Sequence, residues 1–139
     1  MGRLVFADSS GLIAKFLEKD PNHTAAEEEM LRLVLDGRRF LTTNYIFDEV
    51  VTRTRRLAGF PWSRVIGEAI LSSALIRKAF IDAEQEAHAW RLYLKYQEQD
   101  LSFTDATSIA VMKTYGLKEA FSFDDDFRRL GFTLLPQRT

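Results

Sequence analysis

The sequence contains no cysteine among its 139 residues. Disulfide bonds, thiol nucleophiles and zinc sites with thiolate ligands are therefore excluded. The absence also suits a protein that works in the reducing cytoplasm. A fold without such cross-links has to be stabilised by its hydrophobic core.

An excess of positive charge is missing as well. Lysine and arginine together number 19, aspartate and glutamate number 20, and the formal net charge is -1. A polyanion such as nucleic acid would meet no general basic surface on this chain. Any attraction to nucleic acid has to be local or carried by metal ions.

Long apolar runs are also missing. The N-terminal run, Leu4–Ala7, is too short for the core of a signal peptide. No apolar stretch approaches the roughly 20 residues that a membrane-spanning helix needs. We therefore expect a cytoplasmic protein without a membrane anchor.

The chain does contain enough apolar residues to build a core, since 46% of its residues are hydrophobic. A domain of this length buries roughly 68–70% of the surface of its unfolded chain. We find no repeats, linkers or low-complexity segments. Residues 1–139 are therefore expected to form a single domain.

Short apolar runs alternate with amphipathic segments along the chain. The runs predict five strands, at residues 4–7, 38–43, 74–81, 119–123 and 132–136. The amphipathic segments predict six helices, at residues 9–19, 23–35, 44–58, 61–73, 82–97 and 102–115. Strands that alternate with helices form parallel sheets covered on both faces. The sequence thus predicts a three-layer α/β/α sandwich with a central parallel five-stranded sheet.

Four acidic residues fall where such a sheet binds ligands. Asp8 ends the first strand and Asp124 follows the fourth, while Glu49 and Asp105 lie near the starts of helices. Ligands of open parallel sheets lie at the carboxyl ends of the strands, so these side chains are expected to meet at one edge. A cluster of carboxylates needs a cation, and carboxylate oxygens suit Mg²⁺ or Mn²⁺.

Each of these acids also has a local alternative. Asp8 could cap the helix that follows it, and Glu49 could pair with Arg53 on an exposed helix face. Asp105 completes Ser102-x-x-Asp105, a pattern close to a capping box. The occurrence of all four acids at one predicted edge is what favours a metal site.

The run Asp124-Asp125-Asp126 places three like charges side by side. The run could be the polar start of a short helix, which the helix dipole favours. It could also hold a cation. As a metal ligand Asp124 is the first candidate and Asp126 the second, and Asp125 is expected to face the solvent.

Four motifs give the sequence a resemblance to the PIN domain, the fold of the VapC-type toxin ribonucleases. They are VFADSSGLIA with Asp8, LTTNYIFDEV with Glu49, LSFTDATSIAVM with Asp105, and AFSFDDDFRRLGF with Asp124. The motifs occur in the order and at the spacing of the family, and every acidic position of its pattern is present. The resemblance covers residues 4–136.

The resemblance implies a strand order of 3-2-1-4-5. It implies a ribonuclease that depends on Mg²⁺ or Mn²⁺ and leaves a 5′-phosphate and a 3′-hydroxyl. The implied catalytic and metal-binding residues are Asp8, Glu49, Asp105 and Asp124, with Asp126 as a further metal ligand.

The resemblance also implies partners: an RNA substrate, a second copy in a homodimer and, for a toxin, a small VapB-type antitoxin that blocks the acidic site. Two alternatives stay open at this point. One is an RNA-processing nuclease without a toxin role, and the other is a non-catalytic RNA-binding module with the same fold. The complete acidic set argues against the non-catalytic module.

Three polar residues neighbour the acids in the sequence, namely Ser9, Thr104 and Ser122. Their hydroxyls could orient the carboxylates through hydrogen bonds. Local helix capping is an equally good interpretation for each of them.

Arginines and aromatic residues raise the question of substrate contacts. Arg53, Arg55 and Arg56 follow Glu49 on one helix and could bind phosphates, although a solvated helix face is the simpler interpretation for any one of them.

Aromatic residues recur on the helix predicted at 82–97. Trp90, Tyr93 and Tyr96 could stack on unpaired bases, but packing in the core or an interface is favoured for a helical stripe. In particular, Trp90 and Leu94 are expected to face inward, together with Ala83 and Ala87.

Overall fold

The structure is a computed structural model that describes residues 3–137. Its strands are β1 (Leu4–Ala7), β2 (Arg39–Thr43), β3 (Ile76–Ala79), β4 (Glu119–Phe121) and β5 (Thr133–Leu135). Its helices are α1 (Ser9–Phe16), α2 (His23–Leu35), α3 (Asn44–Ala58), α4 (Phe60–Ser72), α5 (Ala83–Lys95), α6 (Phe103–Tyr115) and α7 (Asp126–Arg129).

The five strands form one sheet in the order β3-β2-β1-β4-β5, and every neighbouring pair is parallel. Helices flank the sheet, so the predicted α/β class and the implied strand order are both confirmed. From β1 the chain first adds strands on one side, then crosses over to place β4 on the other side. The carboxyl ends of β1 and β4 are therefore the topological switch point of the sheet, where α/β proteins bind ligands.

The core lies on both faces of the central strands. Val5, Phe6 and Ala7 of β1 have no exposed surface, because strands covered by helices on both faces are apolar without alternation. The ring of Phe40 on β2 packs 5.7 Å from the ring of Phe121 on β4. Helix α6 is buried along Ala106–Met112, which explains its weakly amphipathic sequence.

Helix α1 approaches the end of β4 very closely. A Cβ atom on Gly11 would lie 2.3 Å from the carbonyl oxygen of Phe121, so this position accepts only glycine without a backbone shift. The register of Ala7 opposite Phe121 continues this contact from the sheet into the loops that follow. The residues after β1 and after β4 are thereby brought side by side.

Helix α5 differs from its predicted orientation. Its buried residues are Ala89 and Leu92, whereas Trp90 and Leu94 are exposed by 52% and 50%. The prediction that Trp90 and Leu94 face inward, with Ala83 and Ala87, is therefore wrong. The apolar residues of this helix cover more than one face, so the pattern alone could not identify the buried one.

Strand β3 is shorter at both ends than the sequence predicted. Asp126 begins α7, a helix of one turn, so the interpretation of the aspartate run as the polar start of a short helix is confirmed. Within residues 3–137, no helix combines the length and the apolar character needed to cross a lipid bilayer.

Candidate active site

Asp8 is the buried centre of the site. It follows β1 directly and is only 3% exposed. Its Oδ2 atom accepts hydrogen bonds from the hydroxyls of Ser122, at 2.8 Å, and Ser10, at 3.0 Å. Although Asp8 occupies the position before α1, its side chain makes no capping hydrogen bond. The capping alternative for Asp8 is therefore wrong.

The two serine hydroxyls connect α1 to the loop after β4. They lie 3.1 Å apart, and the Ser10 hydroxyl accepts a hydrogen bond from the backbone N–H of Phe123 at 2.9 Å. The Ser122 hydroxyl accepts one from the N–H of Asp124 at 3.0 Å. This network fixes the orientation of Asp8 and the path of the aspartate run together.

Ser10 is the site residue that sequence reasoning missed. The signal was present, because Ser10 belongs to the first motif and lies two residues after Asp8. A serine at that position is also typical of an ordinary first turn of a helix. The contact that distinguishes the two roles spans 112 residues of the chain.

Glu49 comes to the site from α3. The hydroxyl of Thr43 accepts a hydrogen bond from the N–H of Ile46 at 3.0 Å, which caps α3 where it leaves β2. Glu49 lies four residues after Tyr45 on this helix, and its carboxylate accepts a hydrogen bond from the hydroxyl of Ser9 on α1. Within residues 3–137, the alternative ion pair between Glu49 and Arg53 does not form.

Asp105 combines a local and a tertiary role. Its N–H donates to the Ser102 hydroxyl at 3.0 Å, and its carboxylate accepts from the Ser102 N–H at 3.2 Å, which completes the capping box of α6. The same residue offers an oxygen to a group of three carboxylates. For Thr104 the backbone carbonyl accepts from the Thr107 hydroxyl at 2.6 Å, and its orienting role stays a prediction.

Within the aspartate run, Asp124 and Asp126 lie close to Asp105, whereas Asp125 is turned toward the solvent. Oxygens of Asp105, Asp124 and Asp126 all lie within 4.8 Å of one another. Asp126 also accepts a hydrogen bond from Arg129 at 2.5 Å, and its N–H donates to Asp124 at 3.0 Å. Asp125 is exposed and lies 3.3 Å from Arg128, as expected for a residue outside the cluster.

The electrostatics join Asp8 to this group. Burial raises the pKa of Asp8 to about 6, while hydrogen bonds from Ser122 and Ser10 oppose the rise and the charges of Asp124 and Glu49 add to it. Burial and the neighbouring acids disfavour the ionised form of Asp8, and a cation bound beside these acids would favour that form.

The same causes act on two further acids. Burial, together with the charges of Asp8 and Asp124, raises the pKa of Asp105 to about 7, while hydrogen bonds with Ser102 oppose the rise. Partial burial and the charge of Asp124 raise the pKa of Asp126, whereas Arg129 lowers it. The donors are all carboxylate oxygens, which Mg²⁺ and Mn²⁺ prefer, so the donor set fits either ion.

The arginines of α3 separate into two groups. Arg53 and Arg56 follow Glu49 by four and seven residues, so they continue the helix face on which Glu49 lies. Arg55 lies on another face, where its guanidinium stacks on the ring of Phe60 at 5.2 Å from the ring centre. The structure thus leaves Arg53 and Arg56, both exposed, near the acids.

Comparison with known proteins gives consistent matches. A family model described as PIN domain matches residues 5–133. The 23S rRNA-specific endonuclease VapC20 of Mycobacterium tuberculosis is 36% identical over 92 residues, which cover 66% of this chain and 70% of that protein.

Solved structures match over nearly the full length. The crystal structure of VapC20 from Mycobacterium tuberculosis, a Sarcin-Ricin loop cleaving toxin, has a TM-score of 0.83 at 32% identity and covers 93% of this chain and 96% of that chain. DNA-bound VapBC from Salmonella typhimurium has a TM-score of 0.69 at 15% identity, over 96% of this chain and 97% of that chain. The second likeness concerns the fold alone.

Proposed function

Because the chain belongs to the PIN domain family, we propose that it is a metal-dependent endoribonuclease whose catalytic residues are Asp8, Glu49, Asp105 and Asp124. Asp126 is proposed as a further ligand of Mg²⁺ or Mn²⁺. One observation carries the proposal: acids from four separate segments of the chain converge at the switch point of the sheet, and burial and mutual repulsion raise the pKa values of Asp8 and Asp105.

The chain's own groups have distinct tasks in the proposed reaction. Asp105, Asp124 and Asp126 bring their oxygens close enough to hold one cation between them. Asp8 and Glu49, held by serine hydroxyls, add negative charge beside that position. When bound, a divalent cation supplies charge neutralisation at the phosphate and acidifies water.

In the proposed hydrolysis, the oxygen of a water forms a bond to phosphorus while the bond from phosphorus to the 3′ oxygen breaks. The water gives up a proton, and the leaving oxygen takes one. The products are a 5′-phosphate and a 3′-hydroxyl. The buried carboxylates orient the reactants, since Ser10 and Ser122 prevent Asp8 from rotating.

The substrate proposal comes from the relative. VapC20 is a 23S rRNA-specific endonuclease and a Sarcin-Ricin loop cleaving toxin. We propose that this chain also cuts a loop of structured RNA, with the Sarcin-Ricin loop of 23S rRNA as the first substrate to test. The net charge of -1 fits a protein that binds RNA through local contacts rather than through a general basic surface.

The proposed biological role is that of a cytoplasmic toxin that is inhibited by a small antitoxin and acts as a homodimer. The description of VapC20 as a toxin, together with the similarity of this chain to VapC20 in sequence and in fold, supports this role. A nuclease of RNA processing shares the chemistry but needs no inhibitor. Induced expression separates them, because a toxin slows growth and a co-expressed antitoxin restores it.

The test is cleavage of a labelled hairpin that carries the Sarcin-Ricin loop, with Mg²⁺ or Mn²⁺ and with a chelator. The parent is compared with Asp8→Asn and with Asp125→Asn, a control in which a neighbouring exposed acid is neutralised. We expect metal-dependent cutting by the parent and the control. The cleavage rate of Asp8→Asn should be more than about a hundredfold lower than that of the parent, because even residues that only orient metal ligands contribute up to about a hundredfold.

The outcomes separate the competing functions. Equal cutting by Asp8→Asn and the parent would show that the activity belongs to a contaminant or to another site. Binding of the hairpin without cutting by any protein would favour the non-catalytic module. Loss of cutting in both variants would show that cleavage requires the negative charge of these acids in general, and not the buried site in particular.

A further inference from the structure

Four aromatic rings form a cluster on the surface beside the acids. They belong to Tyr45 on α3, Trp90 and Tyr93 on α5, and Phe103 on α6. The Trp90 and Tyr93 rings are stacked, with centres 5.6 Å apart and planes inclined by 17°. The Phe103 ring lies 6.5, 6.1 and 6.2 Å from those of Trp90, Tyr93 and Tyr45. We call these four residues the aromatic platform.

Only part of the platform lies outside the core, because Tyr45 and Phe103 are partly buried and pack against it. Trp90 is 52% exposed and Tyr93 is 38% exposed, whereas α5 packs inward through Ala89 and Leu92. Large aromatic side chains bury extensive apolar surface when they contribute to stability, and these two leave much of it in water. Their exposed ring surface is therefore accessible to a molecule outside the chain.

The platform lies directly beside the proposed catalytic acids. Tyr45 precedes Glu49 by four residues, so both lie on one face of α3, about 6 Å apart along the helix axis. Phe103 and Asp105 both belong to the first turn of α6, about 3 Å apart along its axis but on different sides of the helix, so Tyr45 is the ring that adjoins an acid. A substrate held at the acids would reach the rings without leaving the surface.

One face of α3 presents three kinds of side chain in succession. Tyr45 comes first, Glu49 lies one turn later, and Arg53 and Arg56 follow at the next turns. The Tyr45 hydroxyl donates to the carboxylate of Glu86, so the ring end of this face carries negative rather than positive charge. Phosphates are expected at the arginines, and a neutral ring system is expected at the platform.

We propose that the aromatic platform stacks an unpaired base of the RNA loop next to the phosphate that is cut, and that it thereby selects loops over duplexes. Bases within a duplex are already stacked on their neighbours, whereas a splayed loop base has a face to offer. This inference rests on the proposed ribonuclease function and specifies how its substrate is held.

An unpaired base fits the observations better than a second copy of the chain. Tyr45 lies on the face of α3 that carries Glu49, so a second copy of the chain held permanently on the rings would crowd the entry to the catalytic residues. A base stacked there would instead place its own backbone at those residues. Continuity with the acidic site thus points to the substrate.

The test uses the Sarcin-Ricin loop hairpin and four variants. Trp90→Ala removes the stacking face, Trp90→Phe retains an aromatic ring, and Trp62→Ala removes a matched tryptophan, 50% exposed, on α4. Binding is followed in Trp62→Phe combined with Asp8→Asn, where Trp90 is the only tryptophan and the RNA stays intact. A second hairpin lacks the bases of the loop.

Trp90→Ala is expected to raise KM roughly tenfold, within the range of stacking contributions measured by alanine substitution, with little change in kcat. Trp90→Phe should recover most of the loss, and Trp62→Ala should behave like the parent. The intact hairpin should quench the fluorescence of Trp90 until saturation, and the hairpin without loop bases should not.

Equal KM values for Trp90→Ala and Trp62→Ala, with unquenched Trp90 fluorescence, would overturn the platform while leaving the nuclease intact. Quenching without cutting by any protein would support the platform and refute the nuclease. Sedimentation tests the alternative occupant. If Trp90→Ala no longer self-associates while its KM stays unchanged, this face belongs to a second copy of the chain and the proposal is overturned.

Discussion

At the scale of single residues, the orientation of Asp8 depends on two hydroxyls that come from opposite ends of the chain. Ser10 donates to Asp8 and accepts from the N–H of Phe123, while Ser122 donates to the same carboxylate oxygen. Each hydroxyl thus satisfies a donor and an acceptor in a place with little access to water. The network is the part of the site that a single substitution disturbs most.

Ser10→Ala is expected to destabilise the protein by about 1–3 kcal/mol, because the N–H of Phe123 and the carboxylate of Asp8 each lose a partner. Cleavage should fall about 10- to 100-fold, the range found when residues that orient metal ligands are removed. Urea denaturation and hairpin cleavage measure the two effects.

The control for Ser10→Ala is Ser72→Ala, which removes an exposed hydroxyl that bonds only to Glu68 of its own helix. Its stability should stay within about 0.5 kcal/mol of the parent. Parent-like activity of Ser10→Ala would mean that Ser122 alone orients Asp8.

At the scale of secondary-structure elements, the site depends on how closely α1 crosses the end of β4. Gly11 faces the carbonyl oxygen of Phe121, and this backbone contact cannot move without shifting Ser9 and Ser10. Helix α1 has a second anchor at the hydrogen bond from Ser9 to Glu49 of α3. One short helix therefore positions two of the acids.

Gly11→Ala should destabilise the protein by more than about 3 kcal/mol, because the added methyl group meets backbone rather than a flexible side chain. Gly67→Ala is the matched control, since its Cβ would lie 3.1 Å from a methyl group of Val51 that can shift. There the gain in helix propensity, about 1 kcal/mol, offsets the crowding.

Thermal denaturation compares the two glycine variants. A Gly11→Ala protein that melts at the temperature of the parent would show that α1 does not approach β4 as the structure describes. An equal loss in both variants would point to general crowding between helices instead.

At the scale of the whole molecule, the acids cluster although the chain is close to neutral. The folded protein holds Asp8 and Asp105 where their pKa values are raised to about 6 and about 7. In the unfolded chain both groups titrate near 3.8. Between these values the folded state binds more protons than the unfolded state, so the free energy of unfolding falls as the pH rises.

Without metal, the protein is therefore expected to be more stable at pH 5 than at pH 8, by about 4 kcal/mol at 1.36 kcal/mol per pKa unit. The stability contributed by the protonated acids is lost as the pH rises through about 6 to 7. Added Mg²⁺ should reverse the trend, because the cation binds the ionised carboxylates of the folded state.

Urea denaturation at the two pH values, with chelator or with Mg²⁺, measures this dependence. Asp8→Asn is the control variant, because its neutral amide mimics the protonated acid and should flatten the slope. That variant should also be more stable than the parent at pH 8 in chelator. A parent whose stability does not change between pH 5 and pH 8 would contradict the burial of Asp8 and Asp105 and the repulsion between the acids.

The aromatic residues of α5 show where local pattern stops being informative. Trp90 and Leu94 have the spacing of a buried face, yet Ala89 and Leu92 are the residues that pack on the core. Which apolar face a helix buries depends on its neighbours in the fold. The exposed rings then gain meaning only from Tyr45 and Phe103, which other helices supply.

The amino-acid sequence is sufficient to predict the class of fold, the strand order through its family resemblance, and the places where the acids enter the chain. It could do so because strands and helices follow from local hydrophobic periodicity, and because parallel strands end at one edge. Asp8 and Asp124 were therefore predicted to lie together. The capping box at Asp105 was readable as well, since all its partners lie within four residues.

The hydrogen-bond partners of each side chain, by contrast, depend on the tertiary structure. Asp8 accepts a hydrogen bond from Ser122 rather than capping α1, and Glu49 accepts one from Ser9 rather than pairing with Arg53. Asp126 lies beside the other acids and also accepts a hydrogen bond from Arg129. The first of these contacts joins residues 114 apart in the chain. Such choices are made by burial and by competition among distant groups, which no local pattern records.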